Sequence, residues 1–96
     1  MRISIRGFLT FRKVMDAQAP FDFDGGSLTL DDLLQELSAM YGEDFRKMIF
    51  DPKTHELSRD IRILVNGRHY SHLPEKLNTQ LHEGDEVSLF PPIAGG

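Results

Sequence analysis

The sequence contains no cysteine. Disulfides, thiolate metal sites, a cysteine nucleophile and a persulfide on the chain's own thiol are therefore excluded. Long apolar runs are also missing. Nothing approaches the roughly 20 residues that a bilayer-spanning helix needs, and the N-terminus lacks the apolar core of a signal peptide. A cytoplasmic location with no membrane partner is expected. Positive charge is in deficit: the formal net charge is −4, and no basic patch stands out. That argues against nucleic acid as the main partner and is compatible with a partner that presents a basic docking surface. No Walker-type glycine loop occurs. His69, His72 and His82 match no strong zinc spacing, and His55-Glu56 lacks the second histidine of a zincin motif. No metal site and no bound cofactor are expected, and no catalytic residue is assigned.

What is present suits one soluble domain spanning residues 1–96, with 40% hydrophobic and 27% charged residues. Ile3 and Ile5 alternate with Arg2, Ser4 and Arg6, which predicts a half-buried strand over 1–14. Phe8 and Phe11 continue it, with Arg12 and Lys13 at its far end. A turn at 16–19 leads to a second short strand, where Phe21 and Phe23 alternate with Asp22 and Asp24. The two strands should form a hairpin.

Residues 28–42 carry the clearest helical pattern. Leu30, Leu33, Leu34, Leu37, Met40 and Tyr41 make one apolar stripe, predicted to be core. Thr29 is placed to cap it, Asp31 and Asp32 suit the first-turn dipole, and Gly42 suits the exit. Over 43–60, Phe45, Met48, Ile49 and Phe50 fit either a short helical turn or an irregular strand. Asp51-Pro52 and the polar residues after it predict an exposed loop. Ile61, Ile63, Leu64 and Val65 are too apolar for a half-solvated strand and are expected inside the sheet. Asn66-Gly67 is a strong two-residue hairpin signal returning through Arg68 to Tyr70. Leu73, Leu77 and Leu81 are apolar anchors in a loop-rich crossing. Glu83-Gly84-Asp85 is a tight turn, and residues 86–90 form the last strand, with Val87 and Leu89 inward.

That strand runs into Pro91, Pro92, Ile93, Ala94, Gly95 and Gly96. Two prolines fix φ and remove two N–H donors, so the chain should leave the sheet at Pro91 and stay extended. Two glycines without Cβ can enter a channel too narrow for any side chain. At a usage of roughly 7% per position, a terminal glycine pair arises by chance in about one chain in 200. The weight therefore rests on the prolines before it and the compact domain behind it. Residues 91–96 are expected to be a flexible functional tail whose terminal carboxylate is the reacting group.

The predicted order is strand, strand, helix, strand, short strand, strand. With one main helix on one face of a mixed sheet, neighbouring first and last strands and a protruding tail, it describes an α+β, ubiquitin-like β-grasp fold. The sequence also resembles a known family. Phe8-Leu9-Thr10-Phe11-Arg12-Lys13, Thr29 with its leucine-striped helix, Ile63-Leu64-Val65-Asn66-Gly67, Glu83-Gly84-Asp85-Glu86-Val87 and the Phe90-to-Gly96 ending are similar to segments of the ubiquitin-like MoaD/ThiS sulfur carriers. The nearest type is the small subunit of molybdopterin synthase.

The resemblance implies that a ubiquitin-activating-type enzyme adenylates Gly96 with ATP, and that a sulfur donor converts it to a thiocarboxylate. The tail Pro91, Pro92, Ile93, Ala94, Gly95 would thread into the large catalytic subunit of molybdopterin synthase, delivering sulfur to a pterin precursor for the molybdenum or tungsten cofactor. Phe8 and Phe90 match docking positions of the family. The chain would be a carrier, with the catalytic bases on its partner. Sulfur carriage for thiamine or tRNA thiolation, conjugation to lysines as a modifier, and a plain binding module are the alternatives.

Overall fold

Alternating burial builds the sheet from its first strand. In β1 (Arg2–Gly7), Ile3, Ile5 and Gly7 are buried, while Arg2 and Ser4 are exposed. The computed structural model describes residues 1–15 and 19–92; the tail expected at 93–96 and most of the turn expected at 16–19 lie outside them. β2 (Ala19–Asp22) returns antiparallel to β1, with Ile3 opposite Phe21, which forms the expected hairpin. Its strand segment lies two residues earlier than the Phe21–Phe23 alternation suggests.

The strand predicted over 1–14 stops at Gly7. The chain turns at Phe8 and Leu9 into a five-residue helix, α1 (Thr10–Val14), which buries Phe11. Gly7 permits the fold-back: a Cβ there would sit 2.7 Å from the Met15 sulfur and 3.3 Å from Phe11 atoms. The inner face of the strand is thus covered at that point by its own continuation.

The crossover is helical. Thr29 caps α2 (Leu30–Tyr41) through a reciprocal box: its Oγ1 accepts from the Asp32 N–H, and the Asp32 carboxylate accepts from the Thr29 N–H, both at 3.1 Å. Leu30, Leu33, Leu34 and Leu37 are fully buried against Ile3, Ile5, Ile63, Val65, Val87 and Leu89. Met40 does not join them, being 59% exposed, and Tyr41 is half-buried. Residues expected to be either helical or irregular form α3 (Glu43–Ile49), which buries Phe45 and Ile49. Phe45 meets Phe11 edge-on, so α1 and α3 close the same core.

β3 (Arg62–Val65) and the two-residue β4 (Arg68–His69) flank Asn66-Gly67; φ is 52° and 86° at these positions, the left-handed pair of a type I′ turn. Tyr70 begins a 3₁₀ turn rather than extending β4. The Asn66 amide also donates to Asp85 at 3.0 Å, and its oxygen accepts from the Glu86 N–H at 2.9 Å, fixing where the last strand starts.

β5 (Glu86–Phe90) enters the middle of the sheet. It runs parallel to β1 and antiparallel to β3, giving the order β2-β1-β5-β3-β4. With α2 across one face, this is the β-grasp, ubiquitin-like arrangement, and its last strand is its most central one. No helix of the described residues is long and apolar enough to cross a membrane.

Candidate functional site

The two faces of the sheet differ in chemistry. The helix side takes Ile3, Ile5, Ile63, Val65, Val87 and Leu89, while the opposite face carries the residues between them. Toward the end of β5 the open face turns aromatic. Phe8 and Phe90 stack with their centroids 4.3 Å apart and their planes within 6°. The Phe8 N–H donates to the Leu89 carbonyl at 3.0 Å, which holds the first ring beside the last strand after β1 has ended.

Both rings are half-buried and neither belongs to the core cluster. Phe8 lies on the open face of the sheet, not in the helix-side core. The signal was available in the sequence: with Ile3 and Ile5 inward, period-two alternation sends residue 8 outward.

Cations frame the stack. The Arg6 guanidinium lies 5.3 Å from the Phe8 centroid and 3.9 Å from the Glu86 carboxylate. Arg62 is paired in register opposite Phe90, and Leu64 opposite Ser88. A cleft beside them is lined by Arg62, Leu64, His69, His72 and Phe90, and a second by Arg59, Asp60, Arg62, His69 and the two prolines. The root of the tail thus carries Arg6, Arg59 and Arg62 together with the carboxylates Asp60 and Glu86. Leu9, Arg6, Arg62 and Leu64 were not assigned to the site from sequence, although the same alternation that places Phe8 places Arg6 with it.

Pro91 is buried and Pro92 exposed. The ladder ends at Phe90, where Pro91 has no N–H to continue it. Of the residues expected to act, Phe8, Phe90, Pro91 and Pro92 are brought to one end of the sheet; Ile93, Ala94, Gly95 and Gly96 lie outside the described residues. Six residues from Pro91 can span at most about 20 Å. His69 Nδ1 is 2.8 Å from the Ser71 hydroxyl, His82 faces Asp85 at 3.9 Å, and the described residues hold no cluster able to bind a metal.

A β-grasp domain whose central strand leads into a Pro-Pro-x-Ala-Gly-Gly segment defines the ubiquitin-like carrier and modifier class. The ThiS family pattern matches residues 14–96, and the chain belongs to that family. Small archaeal modifier protein 3 of Haloferax volcanii is 35% identical over 96 residues, the full length of both chains. An Archaeoglobus fulgidus protein named as a candidate sulfur carrier is 39% identical over 79 residues, 82% of this chain and 86% of its own. The crystal structure of SAMP1 from Haloferax volcanii matches with a TM-score of 0.80 at 27% identity, covering 100% of both chains. These relatives are small carriers and modifiers by name.

Proposed function

We propose that this chain is a sulfur carrier whose reactive group is the Gly96 carboxylate. One observation carries most of the weight. β5 is held on both sides, by β1 and by β3, and is braced at its end by the Phe8–Phe90 stack, so the residues after Pro91 leave from a rigid platform. A platform of that kind suits presentation of a slim tail to an enzyme.

The chemistry follows from the carboxylate. It has no good leaving group, so it must be activated before sulfur can enter. A carboxylate oxygen attacks the α-phosphate of ATP on a separate adenylating enzyme, and pyrophosphate leaves. A sulfide equivalent then attacks the acyl carbon, AMP leaves, and a thiocarboxylate remains. Resemblance to the small subunit of molybdopterin synthase supports a pterin precursor as the final sulfur acceptor, with the catalytic bases on the large subunit. Phe8 and Phe90 are the proposed docking pair for such partners. Aromatic side chains beside arginine are the usual anchors of protein interfaces.

A second reading has its own support. Full-length similarity to a protein named as a modifier favours lysine conjugation, in which a lysine amine attacks the same acyl adenylate and AMP leaves. Both readings share the first step. ATP–pyrophosphate exchange that depends on this protein and its adenylating enzyme tests that step, and exchange should vanish when one residue is appended after Gly96. Retained exchange in the extended chain would contradict both readings. Adducts on other proteins that survive denaturant and reducing agent would select the modifier over the carrier.

A further inference from the structure

Leu9 combines two unfavourable features. Its backbone has φ 55° and ψ −120°, and the Phe11 N–H donates to the Phe8 carbonyl at 3.1 Å to close the four-residue turn around it. These are the dihedrals of the first central position of a type II′ turn, where glycine is the favoured residue. A leucine there is strained. Its side chain is also 64% exposed, one of two large apolar side chains so exposed among the described residues. Met40, the other, sits at ordinary helical geometry in α2. Folding alone would favour a glycine or a small polar residue at position 9, since the leucine gains little burial to offset its strain.

We propose that Leu9 is an anchor gripped by the adenylating enzyme, seated in an apolar pocket rimmed with carboxylates. This rests on the activation of Gly96 proposed above. Two observations select that occupant. Leu9 directly follows Phe8, whose ring is stacked on Phe90 at the point where the tail departs. Six further residues reach at most about 20 Å, so an enzyme that acts on Gly96 comes within that distance of this end of the sheet. The neighbouring charges are cationic. Arg12 and Lys13 in the last turn of α1 are exposed and make no ion pair among the described residues, and Arg6 lies over the Phe8 ring. An apolar prong ringed by cations is complementary to an apolar socket with an acidic rim. Arg6 already faces Glu86 at 3.9 Å, but a neutral or basic socket would leave Arg12 and Lys13 facing nothing or repelled.

The test uses the full chain, its adenylating enzyme and pyrophosphate exchange at varied carrier concentration. Leu9→Ala removes the prong and keeps the turn; Leu9→Gly removes the prong and relaxes the turn. Both should raise the KM for the carrier by about tenfold or more, with kcat within about twofold. Leu9→Gly should melt no lower than the wild type. KM values within about twofold of wild type for both variants, while wild type is activated normally, would overturn the anchor and leave the activation of Gly96 standing. A lower Tm for Leu9→Gly would make the residue structural and overturn it as well. A dimer that Leu9→Gly dissolves without changing KM would assign the leucine to a second copy of the chain, against the proposal. Failure of wild type itself to be adenylated would remove both proposals together.

Discussion

Phe8 and Phe90, separated by almost the whole chain, lie face to face at 4.3 Å on the open side of the sheet. The stack joins the point where β1 ends to the point where β5 releases the tail. It is half-buried, so its loss should weaken the fold without abolishing it. In a double-mutant cycle with Phe8→Ala and Phe90→Ala, denaturant unfolding should return a coupling of about 0.5–1.5 kcal/mol. Zero coupling would mean that the rings merely adjoin.

Gly7 should resist even the smallest side chain. A Cβ would press on the Met15 sulfur and on the Phe11 backbone. The sulfur can swing away; the backbone of α1 cannot move as freely. Gly7→Ala is expected to cost about 1–3 kcal/mol. Combined with Met15→Ala, which vacates part of that space, the total should fall short of the sum of the single effects. Strict additivity in chemical denaturation would contradict this close approach.

Within α2 the apolar positions should divide sharply. Leu34→Ala and Leu37→Ala each leave a hole under the sheet and should cost about 2–5 kcal/mol. Met40→Ala, at 59% exposure, should stay within about 0.5 kcal/mol of wild type. Thermal or urea melts of the three variants would measure the contrast.

That contrast also shows how far the sequence was legible. The helix, its Thr29 cap and the Asn66-Gly67 turn could be read from periodicity and turn chemistry, and the pairing of the first and last strands from the order of the elements. Met40 was misplaced because spacing alone treats a stripe as endless. At 100° per residue it lies about 120° around the helix from Leu34, on the margin of the stripe and in the last turn. The end of β1 was invisible for a different reason. Phe11 has the same parity as Ile3 and Ile5, so its burial fits a continuing strand as well as a helix folded back over Gly7. At the site, Phe8 came from the family resemblance; the alternation that puts it on the open face agrees with that placement. The positive φ of Leu9 left no trace in composition, since glycine is the residue that would have announced it.

Arg2 and Asp22 join β1 to β2 on the exposed face, with Arg2 Nε donating at 2.9 Å. That hydrogen bond, helped by the guanidinium's charge, outweighs desolvation and holds the Asp22 carboxyl below its ordinary range. A carboxyl with a depressed folded pKa stabilises above its unfolded value, about 3.9, and the benefit fades as pH falls through the lower folded value. The Tm difference between wild type and Asp22→Asn should therefore be present at neutral pH, shrink as pH falls below the unfolded value of about 3.9 and weaken in high salt. A difference that grows on acidification would reverse the assigned sign.

The central claim concerns one carboxylate. Incubation of the purified chain with its adenylating enzyme, ATP and a sulfur source, followed by intact-mass measurement, tests it most directly. The expected result is a gain of about 16 Da, the exchange of one oxygen for sulfur, mapped to Gly96 and absent when Gly95 and Gly96 are deleted. An unchanged mass, with an enzyme shown to be active on another substrate, would contradict the carrier account.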